Sequence, residues 1–326
     1  MPGLGTFTNS PTSFTELVTT TWRKHRTEIK DNVSTRNALL KYIMKRGNYR
    51  KEDGGLSIVT PLDYTTNGTY QRYSDWDLLN IAQSDVISAA EYPWRQISLS
   101  VVASGRDIRV NSGESAIIKL VKSRIKNAIR TFNNNFSQDL YSDGTASNQI
   151  NGLQAIISDA TTGTVGGINS STYTFWKSQR YRAQDNSVTV SATTMENGMM
   201  LPLWLLLDRG PDDQPDLIVM SNNYYTFFEG SQVSLKRYND KASADGGFIT
   251  LKYKNADVLF DGGSGIPTSH GYFINTNYLE LVVHRDADLE VMDDVRPVNQ
   301  DGSVTPILWM GNLTCSNRNQ QGLNEA

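Results

Sequence analysis

Apolar residues recur along the chain at two spacings, and each spacing marks one kind of element. Ile117, Val121, Ile125, Ala128, Ile129, Phe132, Phe136 and Leu140 step by three or four, the period of a helix with one buried face. The pattern predicts a long helix from about Glu114 to Leu140, roughly 40 Å long at ~1.5 Å per residue, with Ser112 as its N-cap. Its other face carries Lys119, Lys122, Lys126 and Arg130 and reads as a solvated basic stripe. Near the start, a Gly-, Thr-, Ser- and Pro-rich stretch reads as a flexible arm. Ser13-Phe14-Thr15-Glu16 then has the form of a capping box, which satisfies the free amides of a helix start. Phe14, Leu17, Val18, Thr21, Trp22 and Ile29 continue it at near-helical spacing. A second helix is expected from about Ser34 to Arg46, with Leu39, Leu40 and Ile43 on one face and Gly47 as its stop.

Alternation marks the strands. After Gly54-Gly55, the stretch from Leu56 to Tyr64 is extended, Asn67-Gly68 is a strong turn signal, and Thr69 to Tyr73 reads as the returning strand of a polar hairpin. Trp94 to Ala103 alternates with Ile97, Leu99 and Val101 on one side. Residues 141–215 read as loop-rich. Asp216 to Met220 is a short buried strand running into Ser221, a cap for a helix carrying Tyr224, Tyr225, Phe227 and Phe228, and this step suggests an α/β layer. Leu279, Leu281, Val283, Ala287, Leu289 and Val291 form an alternating row interrupted only by Arg285, and Thr305 to Cys315 is a strand apolar on both faces. The hairpin around Asn67 has few core residues. Two strands alone are marginal in water, so the parent domain or another molecule must hold it. Tyr64, Tyr70 and Tyr73 are therefore interface residues or packing residues, because large aromatics suit either role.

Length and charge refine this picture. A chain of 326 residues suits two intertwined subdomains whose shared chain crosses between them more than once. Its mean hydropathy of −0.44 fits a soluble protein, and no apolar run approaches the ~18 residues of a membrane span. The longest run, Met199 to Leu207, is broken by Pro202. Met1 to Thr6 does not have the form of a secretory signal. The single cysteine, Cys315, cannot form an intrachain disulfide. It reads as a small buried hydrophobe in a reducing compartment, which points to a cytoplasm. Between Trp22 and Lys51 there are ten Lys and Arg against the two acids Glu28 and Asp31, a balance of +8, so a net charge of −3 leaves −11 for the remainder. The basic arm, with Arg23, Lys24 and Arg26, either meets an acidic partner or is simply solvated. That partner is nucleic acid, a neighbouring subunit or the chain's own acidic half.

Catalytic chemistry finds little foothold. His25, His270 and His284 lie in separate segments, and zincin, nucleophile-elbow, C-x-x-C and Walker patterns are missing from the sequence. Gly262-Gly263-Ser264-Gly265 lacks a following helix, which phosphate binding would need, and reads as a surface turn. Gly163 to Gly167 has the wrong spacing for a dinucleotide fingerprint. Asp286, Asp288, Glu290, Asp293 and Asp294 make the best metal candidate, since the first three alternate along a strand and would share one face. A solvated edge strand looks the same. No catalytic, cofactor or metal residue is assigned, and the chain is not expected to be an enzyme.

The order of elements, from basic arm through polar hairpin, long helix and glycine-rich α/β region to a returning strand pair, resembles the major capsid proteins of tailed phages. Local wording agrees: Gly152-Leu153-Gln154-Ala155-Ile156-Ile157 followed by Gly163-Thr164-Val165-Gly166-Gly167-Ile168-Asn169, with Asn169 where an acid is more usual. Pro215 to Ser221, Tyr272 to Leu279 and Gly311-Asn312-Leu313-Thr314-Cys315-Ser316-Asn317-Arg318 are similar too. The resemblance covers nearly everything from about residue 34 onward, and the order and spacing of the motifs are more specific than any one of them. It implies an α+β, HK97-like capsid fold. The arm and short helices would occupy 1–50, an extended E-loop 51–95, a P domain with the spine helix 96–160, an A domain 161–275, and returning P-domain strands 276–326. It further implies hexamers and pentamers of an icosahedral head around double-stranded DNA, assembled in a host bacterial cytoplasm and located in the virion. The E-loop would reach over a neighbouring subunit, with Leu56, Tyr64, Asn67, Gly68, Tyr70 and Tyr73 at the contact. The implied partners are other copies of the chain, a portal, a separate scaffolding protein, packaged DNA through non-specific contact, and room for a decoration protein. No membrane and no cofactor are implied. An encapsulin-like nanocompartment shell is the alternative on the same fold.

Overall fold

The computed structural model describes residues 38–82, 85–110, 114–232, 251–261, 265–293, 295–296 and 298–326. The helix expected after Ser13, the basic residues Arg23, Lys24 and Arg26, the start of the second helix, Ser112 and the turn at Gly262-Gly263-Ser264 lie outside the described residues. The first described element is helix Ala38–Arg46, which buries Leu39, Leu40 and Ile43. It ends where expected. Gly47 adopts φ +79°, its N–H donates to the Met44 carbonyl at 3.1 Å, and the Asn48 N–H donates to the Ile43 carbonyl at 3.1 Å. This closure satisfies the last carbonyls and favours a residue without Cβ.

Strands β1 (Tyr49–Glu52), β2 (Ser57–Asp63), β3 (Ile87–Pro93) and β4 (Arg95–Ser104) follow, then the long helix Glu114–Asp139. β5 (Thr164–Val165), β6 (Ile168–Asn169) and β7 (Gln179–Arg182) precede helix Leu201–Leu207, β8 (Leu217–Met220) and helix Asn222–Ser231. The chain closes with β9 (Leu251–Tyr253), β10 (Ala256–Phe260), β11 (His270–Ile274), β12 (Leu279–Val291), β13 (Gly302–Cys315) and β14 (Gly322–Glu325). Two larger sheets result, one in the order β1-β12-β13-β4 and one in the order β7-β14-β11-β8-β10-β9.

The long helix is held by its apolar stripe. Ile125, Ala128, Phe132 and Phe136 are buried, while Lys126 and Arg130 face solvent. Phe132 stacks on Phe136 at 5.2 Å, and Phe136 meets the edge of Trp309 from β13 at 5.1 Å. The same core takes in Leu39 and Ile43, Val101 of β4, Leu281 of β12 and Ile307 of β13. It also reaches Leu217, Val219 and Ile274 in the six-stranded sheet. A second cluster packs helices Leu201–Leu207 and Asn222–Ser231 on the other side of that sheet, through Leu203, Trp204, Tyr224, Phe228 and Val258.

Several expectations are corrected. The loop-rich reading of 141–215 missed helix Leu201–Leu207, because Pro202 looked like a breaker. It sits at the start of that helix, where the π-helical turn Met195–Met200 gives way to α-helix. Ser221 precedes helix Asn222–Ser231 and its carbonyl accepts from the Tyr225 N–H at 2.9 Å. Its hydroxyl donates to Asn223 Oδ1 at 2.7 Å, so its side chain does not cap. The last segment does not stay with the four-stranded sheet. β14 pairs antiparallel with β11 and parallel with β7, and all four of its residues, Gly322, Leu323, Asn324 and Glu325, are buried. Gly322 permits this, since a Cβ there would lie 2.6 Å from Leu207 Cδ1.

Just before β14, Arg318 is fully buried. Its Nε donates to the Ile156 carbonyl at 2.7 Å and its Nη1 to the Trp176 carbonyl at 3.2 Å, joining three segments at one guanidinium. Truncating the helix–sheet contact, Phe136→Ala, is expected to cost about 3–5 kcal/mol, read as a lower urea midpoint of the unassembled subunit. A change under 1 kcal/mol would show that this stripe does not carry the core.

Candidate assembly interface

The segment between β1 and β4 has two parts with opposite character. β2 pairs with β3 in continuous antiparallel register from Ser57↔Pro93 to Asp63↔Ile87. The returning strand is therefore Ile87–Pro93, and the expected return at Thr69 to Tyr73 is overturned. Asn67-Gly68 is a local turn inside a longer tip. Alternation sends Ile58, Leu62, Ala90 and Tyr92 inward, where they pack with Trp176 and Val282. The Tyr92 hydroxyl donates to the Cys315 carbonyl at 2.9 Å, and the Asn312 amide donates to the Pro93 carbonyl at 2.9 Å. The idea that this hairpin lacks a core within its own chain is thus corrected for its strands. They are completed by the protomer's own body.

The seat is closed by the β5–β6 turn. Gly166 and Gly167 have φ +59° and +76°, the two left-handed residues of a tight hairpin turn. The Glu91 N–H donates to the Gly166 carbonyl at 2.9 Å. A Cβ on Gly166 would sit 2.9 Å from Ala90 Cβ and 3.1 Å from Tyr92 Cζ, so only glycine lets the two hairpins touch. Beneath them lies Cys315, whose buried thiol is pushed up to about 12 by loss of solvation, leaving it neutral and inert.

The tip, described over residues 65–82, has no such support. It is organised by polar contacts: Asn67 Oδ1 accepts from the Thr69 N–H at 3.0 Å, the Gln71 amide donates to the Leu78 carbonyl at 2.9 Å, and the Asn80 amide donates to the Gly68 carbonyl at 3.0 Å. Its apolar side chains are left outside. Trp76 is 98% exposed, Leu78 94%, Ile81 90% and Tyr70 83%. So many large apolar side chains exposed on one short loop are uncommon on the surface of a lone soluble subunit.

Of the residues singled out from sequence, Asn67, Gly68, Tyr70 and Tyr73 lie on this tip. Leu56 is fully exposed but stands at the far end of β2. Tyr64 stacks on the chain's own Phe175 at 5.3 Å and donates to the Asp85 carbonyl. Trp76, Leu78, Leu79 and Ile81 were missed. Their signal was available as a dense apolar cluster with neither helical nor strand period. Two further apolar patches are exposed, Leu205 and Leu206 on helix Leu201–Leu207, and Met292, Val295 and Val298 beyond β12.

The acidic metal candidate dissolves. β12 slips against β13 between Val283 and Asp288 and again between Asp288 and Glu290, and Leu289 takes φ +54°. These irregularities turn Asp288 inward, where it accepts from the Tyr49 hydroxyl and from Lys51 Nζ, each at 2.7 Å. Asp286 and Glu290 remain on the outside, so the three carboxylates do not share a face. Instead, His270 comes together with Asp159 and Glu325, a grouping that sequence separation concealed.

A sheet bearing a seated two-stranded hairpin, a long helix across the four-stranded sheet and a helix-flanked second sheet make up the HK97-like capsid fold. Solved structures agree. The chain resembles the cyanophage A-1(L) capsid asymmetric unit with TM-score 0.55 and 16% identity, over 82% of this chain and 87% of that one. It resembles the capsid of a native GTA particle with TM-score 0.53 and 14% identity, over 86% and 89%. The capsid of Myoviridae phage XM1 matches with TM-score 0.51 and 10% identity, over 87% and 92%. At these identities the likeness is one of fold. No family model matches the chain, and no curated protein matches it in sequence.

Gly166→Ala is expected to destabilise the subunit by about 1–3 kcal/mol through strain and overlap. Gly68→Ala, with nothing within 4 Å, serves as the neutral control. Equal unfolding midpoints for the two variants would contradict the closed seat.

Proposed function

We propose that this chain is a structural shell subunit, the major capsid protein of a tailed-phage head, working by packing against copies of itself. The observation that carries the reading is the row of uncovered apolar residues at 70–81, carried by a hairpin seated firmly on an HK97-like body. Tyr70, Tyr73 and Trp76 offer roughly 150–250 Å² each, or about 4–6 kcal/mol apiece at ~25 cal/mol per Å². Together that is about 12–18 kcal/mol, of the same order as the about 4–15 kcal/mol that association costs. The tip reaches a neighbouring subunit, and the patches at Leu205–Leu206 and around Val295 serve other contacts, since a subunit in a closed shell has several neighbours. The shell is built of hexamers and pentamers around double-stranded DNA. A portal and a separate scaffolding protein take part in assembly in the bacterial cytoplasm, and the arm bearing Arg23, Lys24 and Arg26 meets DNA or a neighbouring chain. An encapsulin-like compartment is the second reading, and the phage heads among the solved structures favour the first. A cargo enzyme co-purifying without DNA would reverse that order.

Electron microscopy of the expressed full chain, with and without scaffold, is expected to show closed shells. A monodisperse monomer or dimer at high concentration in both conditions overturns the reading. Replacing Trp76, Leu78 and Ile81 by Ser is expected to leave the unfolding midpoint within about 0.5 kcal/mol of the parent. The concentration needed for assembly should rise more than tenfold, equivalent to about 1.4 kcal/mol. Neutralising Arg23, Lys24 and Arg26 is expected to weaken assembly or DNA retention and to flatten its salt dependence. An unchanged salt profile would make those charges mere solvated surface.

A further inference from the structure

Three side chains that the shell reading leaves unused converge at one corner of the six-stranded sheet. His270 opens β11 and Glu325 closes β14, directly opposite in the register of that pair. Asp159 approaches from the segment after helix Leu153–Ile156. His270 Nε2 lies 3.4 Å from Asp159 Oδ1 and 3.8 Å from Glu325 Oε2, and one ligand atom from each residue lies within 4.8 Å of the other two. Glu325 and His270 are largely enclosed, with side chains 7% and 14% exposed, whereas Asp159 is 55% exposed. The corner is thus walled on the sheet side and open on the Asp159 side.

The imidazole is held in one orientation. Its Nδ1 lies 2.9 Å from the Thr268 carbonyl. A carbonyl can only accept, so Nδ1 carries a hydrogen, and the tautomer with no second hydrogen presents its lone pair at Nε2. That atom is buried without a hydrogen-bond partner and faces two carboxylate oxygens. Three acceptors turned toward one another repel unless something positive lies between them. A proton on Nε2 fits poorly, because both oxygens lie beyond the ~2.7–3.2 Å range of an N–H···O bond. Ligands about 2.0–2.2 Å from a tetrahedral ion sit roughly 3.3–3.6 Å apart; the His270–Asp159 spacing of 3.4 Å meets this, and Glu325 at 3.8 Å must close in to complete it. A histidine that donates its other N–H to a backbone carbonyl is also the outer-sphere arrangement of metal-bound imidazoles.

The surroundings point the same way. Tyr272, whose ring centroid is 6.3 Å from that of His270, is fully buried with an unpartnered hydroxyl. Burial first, then the charges of Asp159 and Glu325, hold that phenol above its usual range, so the field of both carboxylates reaches a buried group that nothing yet satisfies. On the far side, Arg182 Nε lies 2.9 Å from Glu325 Oε1 and Arg180 Nη1 3.7 Å from it. These cations occupy Oε1 and leave Oε2 turned toward His270. Arg180 also pairs with Asp185 at 3.4 Å, so two guanidiniums face three carboxylates and the net negative charge favours an added cation.

We propose that Asp159, His270 and Glu325 bind one divalent cation of the zinc class, with a fourth position open to solvent, and that the ion clamps β14 and β11 to the segment following helix Leu153–Ile156. One imidazole nitrogen with two carboxylate oxygens suits Zn²⁺ better than Mg²⁺ or Ca²⁺, which prefer oxygen alone. The site stands independently of the shell reading.

The test uses the full chain stripped with chelator and dialysed against Zn²⁺, with Mg²⁺ and Ca²⁺ in parallel, and Co²⁺ as a spectroscopic probe. The expected result is one Zn²⁺ per chain, a raised thermal midpoint, and the intense visible bands of tetrahedral Co²⁺. Asp159→Asn, on an exposed residue, should keep the circular dichroism of the parent. It should also weaken zinc binding by more than the about 10–100-fold that losing an outer-sphere partner costs. No saturable zinc, equal zinc in parent and D159N, equal binding of Mg²⁺, or only octahedral Co²⁺ overturns the proposal. So does a midpoint that follows pH through the imidazole range yet ignores zinc, which assigns the corner to a proton instead.

Discussion

The contact on which the rest of the molecule depends is the aromatic seam between the long helix and β13, where Phe132, Phe136 and Trp309 interlock. Helix and sheet each bury one apolar face there, and neither face could be left to water. Because Leu217, Val219 and Ile274 belong to the same cluster, the seam also fixes the six-stranded sheet against the four-stranded one. The chain passes from one sheet to the other and back, ending in β14 within the second. Two cores built on a shared chain in this way can hold a rigid outline, which a subunit needs if identical copies are to meet at repeatable angles.

The hairpin divides into an anchored base and an exposed end. Its strands are anchored by Ile58, Leu62, Ala90 and Tyr92, and Gly166 brings the β5–β6 turn hard against them. The tip beyond is shaped by side-chain-to-backbone hydrogen bonds instead of by burial. Rigidity at the base and uncovered apolar groups at the end are complementary. In the proposed assembly the base would limit the entropy lost on docking, and the end would supply the area gained. Tyr64 belongs to the base through Phe175, while Tyr70 and Trp76 belong to the end, although all three are aromatic residues of one short segment.

The corner at His270 follows the opposite logic. Here polar groups are gathered inside, and every one of them needs a partner. Arg318 meets that need at Nε and Nη1 with two backbone carbonyls, and Asp288 with Tyr49 and Lys51. Nε2 of His270 finds only carboxylates at ion-pair distance. Buried polar strands such as β14 are stable when such demands are met, so the chemistry of this corner bears on how firmly the chain's last strand is held.

Periodicity alone determined much of this protein. The long helix and its buried stripe, the stop at Gly47, the strands β2, β4, β8 and β13, and the overall order of elements are written in the spacing of apolar residues, because a buried face must repeat with the geometry of its element. Sequence also placed Asn67, Gly68, Tyr70 and Tyr73 in a segment set apart from the body. Only tertiary structure decided the partner of β2, since pairing across more than twenty residues leaves no local trace, and Asn67-Gly68 imitated the closer return. It decided that Asp288 turns inward, because two irregularities in β12 break the alternation that sequence assumes. It decided that Asn324 and Glu325 are buried, and that Asp159, His270 and Glu325 meet. Those outcomes depend on which distant groups share a low-dielectric interior, and no local pattern encodes that.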